Sequence, residues 1–255
     1  MASQSQKNRI GVILAAGFGS RLAGTDSETD LKPLTSVNGQ PLIFRTIQSL
    51  KKAGCSKVVI VLGYGFDEIK AEILESYTGD LPIIFAKNEK FKLGNGISVL
   101  AARDHVGENQ FILTMADHIL SDEMMLLAKN HTPVEGGATL LVDHKIDDVF
   151  DMDDATKVLS VDGSIASIGK KITEFNCVDT GVFVCTTGLM DEIKQVYDAE
   201  GDASLSDGVQ ALASTGKMHT LDIGNAYWQD VDTPEMLGHA EEILNEQTAA
   251  PTELT

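Results

Sequence analysis

The residues with the clearest chemical potential lie near the start of the chain, in residues 10–22, which read IGVILAAGFGSRL. A strand that ends in a turn at Gly17 and Gly19 presents successive backbone N–H groups to an anion. Arg21 adds a planar set of donors suited to phosphate oxygens, and Lys32 supplies a second cation beyond a polar loop. Neither the Walker spacing nor the third glycine of a dinucleotide fingerprint is present. The stretch therefore predicts a phosphate cradle of another kind, since an ordinary tight turn would not account for both cations.

Carboxylates follow two predicted strands further along the chain. Asp117 comes directly after an apolar strand, and Asp230 ends another. Ligands in open α/β sheets bind at the carboxyl ends of strands, and magnesium usually takes one or two carboxylates. We therefore expect Asp117 and Asp230 to hold Mg²⁺. Asp232 is the alternative metal ligand, although it could instead stabilise the N-terminus of the helix that follows, and Asp117 could instead be a helix cap.

Two further positions are candidates for substrate contacts. The segment Gly94-Asn95-Gly96 places an amide between two flexible backbone positions at a predicted helix start. An amide has the donors and the acceptor to bind the edge of a base, but on chemistry alone a helix N-cap explains Asn95 equally well. Asp143, at the end of another predicted strand, is a candidate for contact with a second substrate.

The elements that must position these residues follow an α/β pattern. The first half reads as alternating strands and helices, which predicts right-handed crossovers and a Rossmann-like, mainly parallel sheet flanked by helices. The strand-like pieces beyond residue 136 are separated by turns, so we expect a more antiparallel subsheet that forms the wall for the second substrate. We predict one domain over residues 1–246, with a nucleotide half at about 9–135, an acceptor half at about 136–246 and a disordered tail at 247–255.

Composition limits the possible partners. The chain has 255 residues and a formal net charge of −18, which disfavours nucleic acid and anionic lipid because both require a basic surface. The longest apolar runs are strand-sized, so membrane insertion is not expected. The N-terminal residues lack an apolar signal core, and the three cysteines have no metal-ligand spacing. These features predict a cytoplasmic protein with reduced thiols.

Several segments together resemble a known family. The sequences L-A-A-G-x-G-S-R-L at 14–22 and K-P-L at 32–34 are similar to the signature of the nucleotidyltransferases that make sugar nucleotides and related activated alcohols. Within that superfamily the chain most resembles the CTP:inositol-1-phosphate cytidylyltransferases. That closer likeness is carried by the segments Gly94-Asn95-Gly96, Met115-Ala116-Asp117-His118, Asp154-Ala155-Thr156-Lys157-Val158, Gly169-Lys170-Lys171, Asp179-Thr180-Gly181-Val182-Phe183 and Trp228-x-Asp230-x-Asp232-Thr233-Pro234.

The resemblance implies roles for individual residues. Arg21, Lys32 and Asp117 would be the catalytic residues, with Asn95 near the cytosine. Lys170 would face the phosphate of the acceptor and Asp179 one of its hydroxyl groups. The nucleotide-binding residues expected in all are Leu14, Ala15, Ala16, Gly17, Gly19, Ser20, Arg21, Lys32, Gly94 and Asn95. Those expected at the acceptor are Lys170 and Asp179, together with Asp143 because of its place at a strand end.

The resulting hypothesis is an enzyme that converts CTP and inositol 1-phosphate to CDP-inositol and pyrophosphate with Mg²⁺. A phosphate monoester arrives already ionised at neutral pH, so such a reaction needs positioning and charge neutralisation rather than a general base. A sugar 1-phosphate or phosphocholine is an alternative acceptor, and a catalytically silent nucleotide-binding regulator is an alternative of another class. The expected partners are therefore CTP and a phosphorylated alcohol, and the sequence leaves a homodimer open.

Overall fold

The computed structural model describes residues 9–19 and 31–249. The strands are β1 (Arg9–Ala15), β2 (Ser36–Val37), β3 (Gln40–Pro41), β4 (Cys55–Leu62), β5 (Ile83–Lys87), β6 (Phe111–Met115), β7 (His118–Leu120), β8 (Ala138–Asp143), β9 (Lys157–Val161), β10 (Ser164–Gly169), β11 (Cys177–Cys185), β12 (Met218–Asp222) and β13 (Trp228–Asp230). The helices are α1 (Leu42–Lys52), α2 (Phe66–Ser76), α3 (Gly96–Ala101), α4 (Arg103–Val106), α5 (Asp122–Asn130), α6 (Gly188–Glu200), α7 (Leu205–Ser214) and α8 (Pro234–Ala249). Short 3₁₀ turns occur at Lys32–Leu34 and Ile146–Asp148.

The central feature is a nine-stranded sheet in the order β5-β4-β1-β6-β11-β8-β12-β10-β9. The strands from β5 to β6 are parallel to one another. Strand β11 is antiparallel to both β6 and β8, and β10 is antiparallel to β12 and β9, while β12 runs parallel to β8. The prediction of an α/β fold with a mixed sheet, flanking helices and antiparallel strands on the acceptor side is confirmed.

Burial explains why the first strand lies inside the sheet. Every residue of β1 is buried, because the strand pairs with β4 on one side and β6 on the other. Gly11 is needed there, since a Cβ at this position would lie 2.7 Å from a side-chain carbon of Leu50 in α1. A continuous apolar run without alternation is typical of such a doubly covered parallel strand.

The helices cover the two faces of the sheet in separate apolar clusters. Helices α1, α2 and α5 pack on one face and α3, α6 and α7 on the other. Helix α8 packs with β2 and with the β7–β13 pair in a third, smaller cluster. Among the described residues, no helix combines the length and the apolar character needed to cross a bilayer.

Three local features differ from the sequence expectations. The helix predicted to start at Gly94-Asn95-Gly96 is two short helices, α3 and α4. The strand predicted to end at Asp230 has only three residues and pairs with β7 outside the main sheet. Helix α8 continues to Ala249, three residues into the segment predicted as a tail, whose remaining residues lie outside the described part of the chain.

Candidate active site

The candidate site is a cleft at the carboxyl ends of β1 and β6. A cavity of about 370 Å³ is lined by the glycine turn after β1, by Lys32 and Pro33, and by Asp117 and Asp232. A second cavity of about 350 Å³ shares Leu14, Gly17, Asp117 and Asp232 with the first. We call these the nucleotide lobe and the acceptor lobe. Because they share wall residues, two ligands bound in them would meet beside Asp117.

The glycine turn forms the floor of the nucleotide lobe. Gly19 has a φ of 65°, and a Cβ there would lie 2.5 Å from the Cβ of Lys32. Glycine is therefore required for the turn to approach the 3₁₀ turn that carries the lysine. Of the residues predicted to bind nucleotide, Leu14, Ala15, Gly17, Gly19 and Lys32 line this lobe and Ala16 lines the acceptor lobe. Ser20 and Arg21 lie outside the described residues, and their roles stay predictions.

Lys32 lies between two carboxylates. Its Nζ donates hydrogen bonds to Asp117 and Asp232, and the exposed fractions of the three side chains are 10%, 26% and 11%. Burial alone would raise the pKa of Asp117, but the charge of Lys32 and the hydrogen bond from His118 hold it well below its usual range. Burial likewise opposes the charge on Lys32, yet the two carboxylates raise its pKa. Asp117 and Lys32 are therefore both charged at neutral pH.

The β7–β13 pair brings the third aspartate to the same place. His118 is paired with Asp230 across the two strands, and His118 Nδ1 lies 2.7 Å from Asp117 Oδ1. Val231 N–H donates to the carbonyl of Asp117 at 2.9 Å, which ties the two segments together. Burial and the charges of Asp232 and Asp117 raise the pKa of Asp230. The described part of the site thus gathers three carboxylates around Lys32 and His118.

The donor set suits magnesium. Within residues 9–19 and 31–249, no three acidic, histidine or cysteine side chains are close enough together to ligate one metal ion. Mg²⁺ does not need three, because it commonly uses one or two carboxylates and retains several waters. Asp117 with either Asp230 or Asp232 fits that requirement. The structure thus leaves both pairs available.

The acceptor lobe contains two of the three residues predicted to contact the second substrate, Lys170 and Asp179. Lys170 Nζ donates to Asp154 Oδ1 at 2.5 Å, and Asp179 Oδ1 accepts from Gly181 N–H at 2.7 Å. Burial raises the pKa of Asp179 to about 6. No role was predicted from the sequence for four other polar residues that line this lobe, Asp151, Asp154, Thr156 and Ser206. Two of them, Asp154 and Thr156, lie in a segment that carries the family resemblance.

Asn95 lines the acceptor lobe close to the glycine turn, and it also has a structural contact. Its Oδ1 accepts from Leu205 N–H at 2.8 Å, which fixes the orientation of the amide. A Cβ at Gly94 or Gly96 would lie 2.5 Å or 2.7 Å from the Ala203 carbonyl oxygen, so both glycines are explained by packing. The Asn95 amide nitrogen remains available as a donor toward the cleft.

Asp143 lies outside both lobes. It is buried, and its carboxylate accepts from Lys145 Nζ at 2.7 Å and from Trp228 Nε1 at 2.9 Å. It lines a neighbouring cavity of about 290 Å³. With both oxygens engaged, Asp143 supports Trp228 in the wall of the acceptor lobe, which is a structural contact rather than one with the acceptor.

Comparisons with known proteins agree with this architecture. Residues 11–146 match the family model described as the MobA-like NTP transferase domain. The bifunctional IPC transferase and DIPP synthase of Archaeoglobus fulgidus is 34% identical over 233 residues, which are 91% of this chain and 43% of that protein. The corresponding protein of Rubrobacter xylanophilus is 32% identical over 96% of this chain and 54% of its own length. The chain thus spans about half the length of these relatives.

Other relatives match over their full length. The UTP–glucose-1-phosphate uridylyltransferase AglF of Haloferax volcanii is 29% identical over 95% of this chain and 99% of that protein. The solved structure of the inositol-1-phosphate CTP transferase from T. maritima superposes with a TM-score of 0.81 and 27% identity, covering 95% of this chain and 97% of that one. The resemblance to the nucleotidyltransferase superfamily is confirmed: the chain belongs to the MobA-like NTP transferase domain family.

Proposed function

We propose that the protein transfers a cytidylyl group from CTP to inositol 1-phosphate, forming CDP-inositol and releasing pyrophosphate. The observation that carries the proposal is a single cleft with separate cationic contacts at its two ends. Lys32 serves the nucleotide lobe and Lys170 the acceptor lobe, with Asp117 in the wall of both. The names of the A. fulgidus and T. maritima proteins support the choice of substrates.

The chemistry requires one bond to form and one to break. An oxygen of the acceptor phosphate attacks the α-phosphorus of CTP, and the bond from that phosphorus to the pyrophosphate oxygen breaks. The acceptor is already an anion, so no side chain has to remove a proton. The protein must therefore hold two anions in line and offset their charge, which is how such transfers are accelerated.

The residues of the nucleotide lobe bind the triphosphate of CTP, from which pyrophosphate leaves. The N–H groups of the glycine turn and the Lys32 ammonium face the phosphates, and Asn95, in the adjoining wall of the acceptor lobe, contacts the base. Lys32 is held by Asp117 and Asp232 in the structure. Its flexible side chain can exchange one carboxylate for a phosphate oxygen within the same cavity. Magnesium held by Asp117 with Asp230 or Asp232 would supply further charge neutralisation at the α-phosphate.

The residues of the acceptor lobe favour a phosphorylated polyol. Lys170 provides a cation for the phosphate, while Asp151, Asp154, Thr156 and Asp179 provide oxygens for hydroxyl groups. Among the described residues that line this lobe, Trp228 is the only phenylalanine, tyrosine or tryptophan, and it stacks on His118. An aromatic cage for a quaternary amine therefore has too few members here, which argues against phosphocholine.

A second candidate is uridylyl transfer to glucose 1-phosphate. The full-length match to AglF favours it, because the inositol-linked curated relatives are about twice as long as this chain. Glucose 1-phosphate is also a phosphorylated polyol, so the acceptor lobe suits both molecules. The two candidates differ in the base and in the ring of the acceptor, and both differences can be measured.

The proposal is tested by measuring pyrophosphate release from each common nucleoside triphosphate with inositol 1-phosphate, glucose 1-phosphate and phosphocholine. We expect the highest kcat/KM for CTP with inositol 1-phosphate. A preference for UTP with glucose 1-phosphate would replace the first candidate by the second. Release with no combination would favour a nucleotide-binding regulator without turnover.

A further inference from the structure

A buried lysine lies beneath the wall of the acceptor lobe. Residues 150–156 form a turn that contributes Asp151, Asp154 and Thr156 to that wall. Lys157 begins β9 immediately after the turn and is 9% exposed. Its Nζ does not point to solvent but back into the turn, where it donates to the carbonyl of Met152 at 2.6 Å and to that of Asp153 at 3.3 Å.

The strand register places Lys157 at the centre of the acceptor residues. Lys157 is paired with Gly169, the residue before Lys170, and with Val178, the residue before Asp179. The main chain of Lys157 is thus held between the two strands that carry these side chains, while its ammonium holds the turn. The 150–156 turn, the end of β10 and the start of β11 thus all contact Lys157.

Other contacts close the turn on itself, and one joins its last residue to β11. Asp151 accepts from Asp154 N–H at 3.2 Å through its side chain and from Ala155 N–H at 3.0 Å through its carbonyl. Asp179 N–H donates to the Thr156 carbonyl at 2.9 Å. Lys170 also pairs with Asp154 at 2.5 Å, a contact that it would share with the acceptor phosphate under the proposed function.

Burying an ammonium group is unfavourable unless its donors are satisfied. Here two main-chain carbonyls, those of Met152 and Asp153, accept hydrogen bonds from it. A neutral side chain in this place would leave the two carbonyls without their donor. The middle of the turn would then lose its side-chain contact with β9, so Asp154 would be held less firmly.

We infer that Lys157 is a positioning residue that sets the affinity for the acceptor by holding the 150–156 turn against the sheet. The inference depends on the proposed function in that the second substrate occupies the acceptor lobe. Lys157 itself contacts no substrate, because its donors face the main chain of the turn.

The test compares Lys157→Met and Lys157→Arg with the wild-type protein, using Lys171→Met as a control. Lys171 is exposed and close to the same wall, so its loss removes a charge without removing the contact. For Lys157→Met we expect the KM of the acceptor to rise about tenfold, corresponding to the loss of about one hydrogen bond from a charged donor. The KM of CTP should stay unchanged, and Lys157→Arg should restore part of the acceptor affinity. Equal rises in both KM values would indicate general destabilisation and contradict the inference.

Hydrogen exchange provides a readout that does not depend on the identity of the substrates. In Lys157→Met, amides of the 150–156 turn should exchange faster, while those of β1 and β6 keep their protection. Unchanged exchange in the turn would overturn the inference even if the enzyme were active as proposed. The variant could also show faster exchange in the turn while the wild-type protein is inactive with every acceptor. That result would support the anchoring role of Lys157 and contradict the proposed function.

Discussion

At the nucleotide end of the cleft the contacts come from a glycine turn between parallel strands, whereas at the acceptor end they come from side chains on antiparallel strands and one turn. In the first region the glycine turn lines the cavity, and Gly19 admits the close approach of Lys32. In the second region the side chains of Lys170, Asp154 and Asp179 line the cavity, and the Lys157 ammonium contacts the turn that carries Asp154. A binding site built from main-chain groups depends on few side chains. In a site built from side chains, each contact can be removed by a single substitution.

Charge is also distributed differently between the two regions. Lys32, Asp117 and Asp232 form a compact, mostly buried group in which each charge has a partner. At the acceptor end the Lys170 side chain is 53% exposed and pairs with Asp154. We therefore expect substitutions in the nucleotide lobe to affect turnover strongly and those in the acceptor lobe to affect mainly the affinity for one substrate.

The largest effect is expected for Asp117→Asn. Its carboxylate lines both lobes and is held ionised by Lys32 and His118, so an amide would remove the charge where the two substrates meet. We expect kcat to fall by about 10³-fold with little change in the circular dichroism spectrum. Asp122→Asn is the control, because Asp122 lies on the surface of α5 and pairs with Lys52. Near-normal turnover in Asp117→Asn would remove the residue from the mechanism.

A smaller loss is expected for Lys32→Ala. Removing a cationic contact to phosphate should lower kcat by about 10²-fold. The same change leaves Asp117 and Asp232 without their shared cation, so the variant should bind Mn²⁺ more tightly than the wild-type protein in the absence of nucleotide. Electron paramagnetic resonance of free Mn²⁺ measures this directly. Weaker Mn²⁺ binding in the variant would mean that Lys32 helps to build the metal site rather than competing with it.

The acceptor lobe should respond selectively to Lys170→Ala. We expect the KM of the acceptor to rise about tenfold, since one charged hydrogen bond to its phosphate is lost. The KM of CTP should not change, and Lys171→Ala should resemble the wild-type protein in both constants. If instead only the KM of CTP rises, the two lobes have been assigned to the wrong substrates.

The smallest effect is expected for Asp179→Asn, and it concerns the free energy of unfolding rather than activity. Burial raises the pKa of Asp179 to about 6, so the ionised carboxylate lowers stability, and this cost grows as pH rises toward 6. The amide keeps an oxygen for Gly181 N–H but carries no charge. The variant should therefore gain stability over the wild-type protein by at most about 3 kcal/mol near pH 7.5, and by little near pH 4. Urea unfolding at the two pH values measures the difference, and an equal difference at both would contradict the assignment.

The pattern of apolar residues along the chain was enough to predict much of the fold. The apolar run of β1, the apolar face of α1 and the alternation of strands and helices predict an α/β sheet without knowledge of any contact. The division of the helix after Gly94-Asn95-Gly96 into α3 and α4 could not be predicted, because no glycine or proline marks the break. The position of β13 outside the main sheet also could not be predicted, since a short strand carries no signal about its partner.

The sequence by itself determined which chemical groups are present and which are local neighbours: a glycine turn after a buried strand, carboxylates at strand ends, and two cations separated along the chain. Only the tertiary structure decided that Lys32 lies between Asp117 and Asp232, that Asp143 supports Trp228 outside the cleft, and that Lys157 points under the acceptor turn. Residue types and spacing report short-range preferences, whereas these contacts join segments up to 200 residues apart. Such pairings depend on strand order and burial, which arise only when the whole sheet assembles.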